Sequence, residues 1–362
     1  MSEIYIFGAG IQGQLFLNAF QSTGHTITGF VDDYSNCDTY NGLPVLRTEN
    51  LKNKQASIYI SIGLISPKIK SALQSQGFEN VFDFTQSVLE HPAIIHELKA
   101  YSLWYSSTPS DMIDAVGIAK LRRLLSDEKS QILLDRIIAF RTDFSAGHYV
   151  VPDANTQYFP DDIDVFSTID SVRFVDAGAY NGDTVTALIQ ACTQQNIRFE
   201  YAACFEPDPT NLLALTNKVA DLQYKGKPPR VFTYPAAAWR KSEMLEFNAD
   251  QAASSCIADA AMPPASSKAI FGLSIDQCLL TAAPNFIKMD IEGAERSALI
   301  GSQQIIQTYR PVLAVCLYHR PSDLWELPLF IHELMSDYDM YLRVYGDMLL
   351  ETVLYCIPRS RA

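Results

Sequence analysis

The stretch Phe174-Val175-Asp176-Ala177-Gly178-Ala179-Tyr180-Asn181-Gly182-Asp183-Thr184 decides how this chain is read. The residues leading into Asp176 suit a buried strand, and apolar residues recur at helical spacing from Thr184 onward. A strand is therefore expected over 172–175 and a helix over 184–194. Between them the backbone must turn sharply, and glycines at 178 and 182 permit positive φ and close approach of a ligand. Asp176 then lies at the carboxyl end of a strand, the edge where open α/β sheets bind ligands. A carboxylate there suits an ammonium group.

The next strand, expected over 201–205, runs into Cys204-Phe205-Glu206-Pro207-Asp208. An acid at its tip can accept both hydroxyls of a ribose, and Pro207 fixes the exit from the strand. Two acids bracketing a glycine turn fit either a dinucleotide or an aminoacyl nucleoside. The spacing D-x-G-x-x-x-G departs from G-x-G-x-x-G, and an acid in the first turn would repel a pyrophosphate. S-adenosyl-L-methionine (SAM) is the better match. The expected cofactor contacts are Asp176, Ala177, Gly178, Ala179, Gly182, Asp183, Thr184, Glu206, Pro207, Asp208, Ala237 and Asp290.

A third segment, Phe286-Ile287-Lys288-Met289-Asp290-Ile291-Glu292-Gly293-Ala294-Glu295, delivers Asp290 from an apolar strand to the same edge. There it can orient or deprotonate a hydroxyl. Glu292 follows closely, and Glu295 reads equally well as a charge favoured by the start of a helix. In Leu317-Tyr318-His319-Arg320-Pro321 a core strand ends at His319, which is read either as a substrate-side base or as a structural histidine. The catalytic candidates are Asp290, His319 and Glu292. This pattern requires no metal; Asp290 with Glu292 would make only a weak site for a hard cation.

Around these motifs, 157 to the C-terminus resembles the FkbM family of SAM-dependent methyltransferases. The matching stretches are 174–184, 205–208, 286–295, 318–328 and 351–355. Further strands are expected near 231–234, 312–317, 341–345 and 352–357, and together they give the class I methyltransferase-like, seven-stranded Rossmann-like α/β sheet that the resemblance also implies. The resemblance implies SAM as methyl donor and O-methylation of a hydroxyl on a sugar or polyketide-like small molecule, and the acceptor expected here is a sugar, nucleotide sugar or related small molecule. It puts Asp176, Gly178, Gly182 and Glu206 in the cofactor site, and Asp290, Glu292 and His319 at the reacting centre. His319 stands singly before Arg320, where many members carry paired histidines after an acid, so both Asp290 and His319 stay candidates for the base.

Upstream, strand, helix and strand alternate. Gly8-Ala9-Gly10-Ile11-Gln12-Gly13 satisfies G-x-G-x-x-G between a strand and a helix, with Asp32 and Asp33 ending the next strand. This segment resembles the small Rossmann-like N-terminal domains of sugar-modifying enzymes. Gly8, Gly10, Gly13 and Asp32 are accordingly candidates for a second nucleotide or nucleotide-sugar site. Three regions are expected: a Rossmann-like domain over 1–86, a helical connector over 87–150 that packs on either domain or joins two copies, and a methyltransferase domain over 151–362. Residues 252–267, with Ser254 and Ser255, read as a mobile loop after a hairpin.

At 362 residues, 48% hydrophobic and 19% charged, the chain has the composition of a globular protein of more than one domain. Its net charge of −13 disfavours nucleic acid and anionic lipid as partners. The seven cysteines are scattered with no C-x-x-C pair, which suits a reducing compartment. No leader or membrane span is read, and the expectation is a cytoplasmic protein acting on a small molecule. Two rivals are kept: a nicotinamide oxidoreductase, and a non-catalytic nucleotide-sugar-binding or scaffolding protein with a relict SAM fold.

Overall fold

The computed structural model describes residues 3–63, 65–98, 104–106, 109–248, 256–257 and 267–359. The chain forms two compact units. One comprises Met1–Met112 with Arg136–Val150, the other Ile113–Asp135 with Val151–Ala362.

The strands of the first unit are β1 (Ile4–Phe7), β2 (Gly29–Val31), β3 (Thr39–Tyr40), β4 (Leu43–Leu46), β5 (Ser57–Ile60) and β6 (Val81–Phe82). They order as β3-β4-β2-β1-β5-β6, parallel throughout except for β3. The β3–β4 hairpin goes beyond the sequence expectation, because two short strands around Pro44 carry little periodic signal. The helices are α1 (Ile11–Ser22), α2 (Ser66–Ser75), α3 (Phe84–Glu90), α4 (Ala93–Glu97) and α5 (Pro109–Met112). Asp83 and Gln86 form a reciprocal capping box at the start of α3. Tyr5, Phe7, Val31, Ile58, Ile60, Leu73 and Phe78 share one core under this sheet.

Helix α6 (Ala115–Leu124) belongs to the second unit, and α7 (Glu128–Asp143) runs through both, so the helical stretch is divided between them. The second unit then adds β7 (Ser171–Ala177), α8 (Asp183–Gln194), β8 (Arg198–Phe205), α9 (Pro209–Asp221), β9 (Val231–Tyr234), β10 (Ala237–Ala238), β11 (Glu243–Asn248), β12 (Cys256–Ile257), β13 (Ser267–Leu273), α10 (Ile275–Leu279), β14 (Phe286–Met289), α11 (Glu295–Ile300), α12 (Gln303–Tyr309), β15 (Val312–Cys316), α13 (Asp323–Leu334), β16 (Tyr338–Val344) and β17 (Thr352–Pro358). Its main sheet has seven strands, ordered β16-β17-β15-β14-β7-β8-β9. Only β17 runs against its neighbours. That is the expected doubly wound sheet finished by an antiparallel strand.

β14 and β15 are buried along their whole length, as parallel strands covered on both faces must be. Phe159, Phe166, Phe174 and Phe286 pack together on one face, with Phe174 and Phe286 edge to face at 5.3 Å. Arg343 of β16 is buried and bonds Asp127 at 2.7 Å, Asp162 at 2.9 Å and Ser130 at 3.0 Å, fastening the segment before α7 to the sheet edge. Two helices, α11 and α12, follow β14. The chain breaks at Gly301, where a Cβ would lie 2.0 Å from the Trp239 carbonyl oxygen, and Asp276 accepts the amides of Gln304 and Ile305 to start α12. β10, β13, β11 and β12 form a small separate sheet. Ser254, Ser255 and most of 252–267 lie outside the described residues.

In the first unit, α1 approaches β1 so closely that a Cβ at Gly13 would lie 2.0 Å from the Gly8 carbonyl oxygen. A Gly13→Ala change must push the helix off the sheet. It is expected to cost about 1–3 kcal/mol, the range for overpacking a tight contact. The measurement is hydrogen exchange, with the amides of β1 and β5 losing protection; unchanged protection would refute it.

Candidate active site

β7 carries Asp176 to the sheet edge, and the turn after it is held by β8: the amides of Gly178 and Ala179 both donate to the Phe205 carbonyl, at 3.0 and 3.1 Å. Gly178 has φ +80, and a Cβ there would lie 1.8 Å from the Asp290 carbonyl oxygen, so no other residue fits. Gly182, at φ +84, precedes α8 with no side-chain cap, leaving first-turn amides at the edge. Asp183 turns onto its own helix, accepting the Thr184 amide at 2.7 Å.

Asp176 does not open onto the edge. Its side chain is 0% exposed, and its partner is Lys288, directly opposite on β14 at 3.1 Å. Burial raises the Asp176 carboxyl to about 6, against the pull of Lys288. Burial also opposes the Lys288 charge, but Asp176 and Asp290 more than offset it and drive its pKa up. At neutral pH the pair is ionised. Lys288 Nζ also donates to the Gly178 carbonyl at 2.7 Å.

Glu206, at the tip of β8, is buried, and its two oxygens accept the amides of Tyr180 and Asp208, each at 2.8 Å. Each oxygen keeps a second lone pair for a hydroxyl donor. Burial lifts its carboxyl to about 7. Asp208, past Pro207, caps α9 through the amides of Thr210 and Asn211. Ala237 lies buried in β10, paired with Gly272 of β13.

Asp290, Glu292 and His319 come together on the neighbouring strand ends. The His319 ring is 1% exposed, with Nδ1 2.9 Å from Glu295, and Nε2 3.3 Å from Asp290 and 3.7 Å from Glu292. None of these approaches lies along a ring N–H direction, so the ring is held by charge rather than by aligned hydrogen bonds. Burial disfavours its proton, yet Glu295 and Asp290 outweigh burial and hold the imidazole well above its ordinary pKa. His319 is therefore an imidazolium at neutral pH and cannot accept a proton there. Glu295 is a partner of this histidine rather than only a helix-start charge, and it also accepts the Ile291 amide at 2.9 Å.

Asp290 is fixed by two tyrosines. Tyr158 Oη donates to Oδ2 and Tyr318 Oη to Oδ1, each at 2.9 Å. Burial works against its charge, but His319 and Lys288 prevail and hold it below the usual carboxylate range. Glu292 sits at φ +55, beside Gly293 at φ +89, with 22% of its side chain exposed. Burial raises its carboxyl to about 7, helped by Asp290 and Glu295 and opposed by His319. Of the three catalytic candidates, Glu292 alone is both partly open and balanced near neutrality, as a general base should be.

Lys288, Tyr158, Tyr318 and Glu351 were not among the sequence candidates. A lysine inside the apolar run of β14 was a readable signal; Tyr158, 132 positions from its partner Asp290, had none. Asp290, Cys316 and Glu351 bring ligand atoms within 4.8 Å of one another, and the two tyrosine hydroxyls that donate to Asp290 lie among them, Tyr158 Oη 3.4 Å from Cys316 Sγ and Tyr318 Oη 3.3 Å from Glu351.

At the other glycine turn, Gly8 has φ +107, Gly10 starts α1 with open space around it, and Asp32 lies beside both. Asp32 accepts the Ala9 amide at 2.9 Å and the amides of Tyr34 and Ser35. The turn and its acid meet as the motif requires, with the carboxylate spent on backbone donors.

The raised Glu292 carboxyl has a stability consequence. A group whose pKa is raised by folding contributes fully below its unfolded value, here 4.5, and that contribution is lost as pH rises through about 7. The melting temperature of the parent should match that of Glu292→Gln near pH 4.5 and fall below it by pH 7–8. A difference that stays constant over this window would contradict the assignment.

Residues 176–347 match the methyltransferase FkbM domain family. No curated protein matches the sequence. Among solved structures, the methyltransferase FkbM from Methylobacillus flagellatus KT superposes with a TM-score of 0.68 at 23% identity, covering 98% of this chain and 90% of that one; it shares the fold. An rRNA methylase from Streptococcus thermophilus aligns over 53% of this chain and 89% of its own, at 11% identity and a TM-score of 0.34, too low to bear on the fold. Among the described residues no helix is long and apolar enough to cross a membrane. Residues 176–347, which carry the glycine turn and the acidic edge beside it, thus resemble a methyltransferase FkbM domain, built here on a seven-stranded sheet.

Proposed function

We propose that the protein is a SAM-dependent O-methyltransferase acting on a hydroxyl of a sugar, nucleotide sugar or related small molecule. One observation carries this reading: the turn suited to the cofactor and the group suited to the acceptor touch, because Gly178 packs directly on the Asp290 carbonyl. The donor set fits SAM. Glu206 would hold the ribose hydroxyls, and the start of α8, where Gly182 offers no side-chain cap, and the two positive-φ glycines leave backbone to meet the aminoacyl part. Bound there, SAM supplies an activated methyl on a sulfonium.

The chain's own residues then position and deprotonate the acceptor. Asp290, clamped by Tyr158 and Tyr318, accepts a hydrogen bond from the acceptor hydroxyl and fixes its direction. Glu292 takes the hydroxyl proton on a carboxylate oxygen. His319 keeps Asp290 ionised through its fixed positive charge and does not exchange a proton near neutrality. Neutral polyols suit this edge better than anions, since Asp290, Glu292 and Glu351 all bear on it. The predominantly buried free cysteines and the acidic surface support a cytoplasmic protein with small-molecule rather than nucleic-acid or membrane partners. The N-terminal glycine turn is a second nucleotide-sugar site on this reading, and self-association remains part of the proposal.

Two outcomes are expected. In isothermal titration the parent binds SAM, and Glu206→Ala weakens binding about 10–100-fold, as loss of charge-assisted hydrogen bonds of about 1.5–3 kcal/mol requires. A parent that binds NADH and not SAM would overturn the reading. With an acceptor found from a polyol panel, Glu292→Gln lowers turnover about 10²–10⁴-fold. It also removes the rise in rate through pH 7 while SAM affinity holds; a retained pH profile would remove Glu292 from the base role.

A further inference from the structure

Lys288 is the least expected charge in the second unit. It lies in the middle of the sheet, on a strand otherwise apolar, with 2% of its side chain exposed. Three protein groups converge on its Nζ: the Asp176 carboxylate at 3.1 Å, the Gly178 carbonyl at 2.7 Å and the Ala177 carbonyl at 3.4 Å. The Tyr158 ring lies 5.3 Å away, and Tyr158 in turn bonds Asp290. Asp290 follows Lys288 by two residues, and its amide donates to the Ala177 carbonyl at 3.1 Å. The acid that precedes the glycine turn, two of the carbonyls at its start and the strand that delivers Asp290 therefore meet at this ammonium.

A turn with two positive-φ glycines is soft, and its carbonyls repel one another when they point the same way. A buried ammonium that gathers the Ala177 and Gly178 carbonyls removes that softness. Asp176 supplies the charge that lets an ammonium be buried there at all. The acid at the strand end thus acts through the lysine: it lies 3.1 Å from Nζ with its side chain 0% exposed, out of reach of a ligand at the sheet edge.

We infer that Lys288 is a positioning residue that locks the Asp176–Gly182 turn in its binding shape, and that Asp176 serves the cofactor site by holding Lys288 rather than by contacting the cofactor's ammonium. This rests on the SAM reading above. It opposes the plainer expectation for an acid at this position.

The test titrates S-adenosyl-L-homocysteine into the full-length parent, Lys288→Met, Asp176→Asn and the double variant Lys288→Met/Asp176→Asn, with the melting temperature of each recorded. Either single change strands one buried charge and should weaken binding about 10–100-fold, the size seen when a partner that orients a binding group is lost. The double variant has no charge left to strand, but it also lacks the lock. It should bind no more weakly than Lys288→Met, because Asp176 then has nothing left to hold; direct contact between Asp176 and the ligand would instead weaken it beyond Lys288→Met by the full Asp176→Asn factor. That further loss overturns the inference, as does a folded Lys288→Met that binds like the parent. If Lys288→Met does not fold, the double variant should bind about as weakly as Asp176→Asn, and a double variant that binds like the parent overturns the inference. A parent that binds no S-adenosyl-L-homocysteine overturns the SAM reading itself, a result separate from any ranking of the variants.

Discussion

The close packing of β7 on β14 at their carboxyl ends is the constraint on which the site depends. Lys288 pairs with Asp176 across the two strands, and two residues later the Asp290 carbonyl fills the space where a Gly178 side chain would stand. The glycine turn and Asp290 are consequently one rigid construction rather than two neighbouring ones. Methyl transfer needs an oxygen held in line with the bond that breaks, and such alignment is worth many orders of magnitude in rate. A site assembled from adjacent strand ends has that rigidity from the sheet itself.

Beside it, electrostatics divides the work among groups of similar chemistry. Asp290, Glu292 and Glu295 surround one buried imidazole, and their summed field keeps it charged although burial alone would discharge it. Two of these carboxyls then part company. Asp290 has two tyrosine hydroxyls and His319, so it stays ionised; Glu292 has less compensation and rises to about 7. Pairs of titratable groups pushed apart in this way mark acid and base roles. The histidine serves as a fixed charge.

The N-terminal unit shows how far one local pattern can diverge. Both units place a glycine turn between a strand and a helix, with an acid at the following strand end. In the second unit, Glu206 accepts one amide per oxygen and keeps lone pairs for a ligand. In the first, Asp32 accepts three amides, those of Ala9, Tyr34 and Ser35, and is held below its ordinary pKa by them despite partial burial. The same grammar therefore describes both turns, while the donors that reach the acid differ.

Much of this was legible in the sequence for a local reason. Parallel strands buried on both faces are continuous apolar runs, and a turn that needs positive φ needs glycine, so β7, β8, β14, β15 and both glycine turns announce themselves within a dozen residues. The same applies to Asp176, Glu206, Asp290 and His319, each the first polar residue after such a run. What a residue does once it is there depends on partners far along the chain. Whether Asp176 faces a ligand or Lys288, 112 positions away, was decided by strand register. The protonation of His319 was decided by Glu295, 24 positions before it, and the fixing of Asp290 by Tyr158. Sequence by itself determined which residues reach the sheet edge, because that follows from local periodicity and turn chemistry. Only the tertiary structure decided which carry charge and which are open to a substrate, because burial and pairing are properties of the neighbours a folded chain brings together.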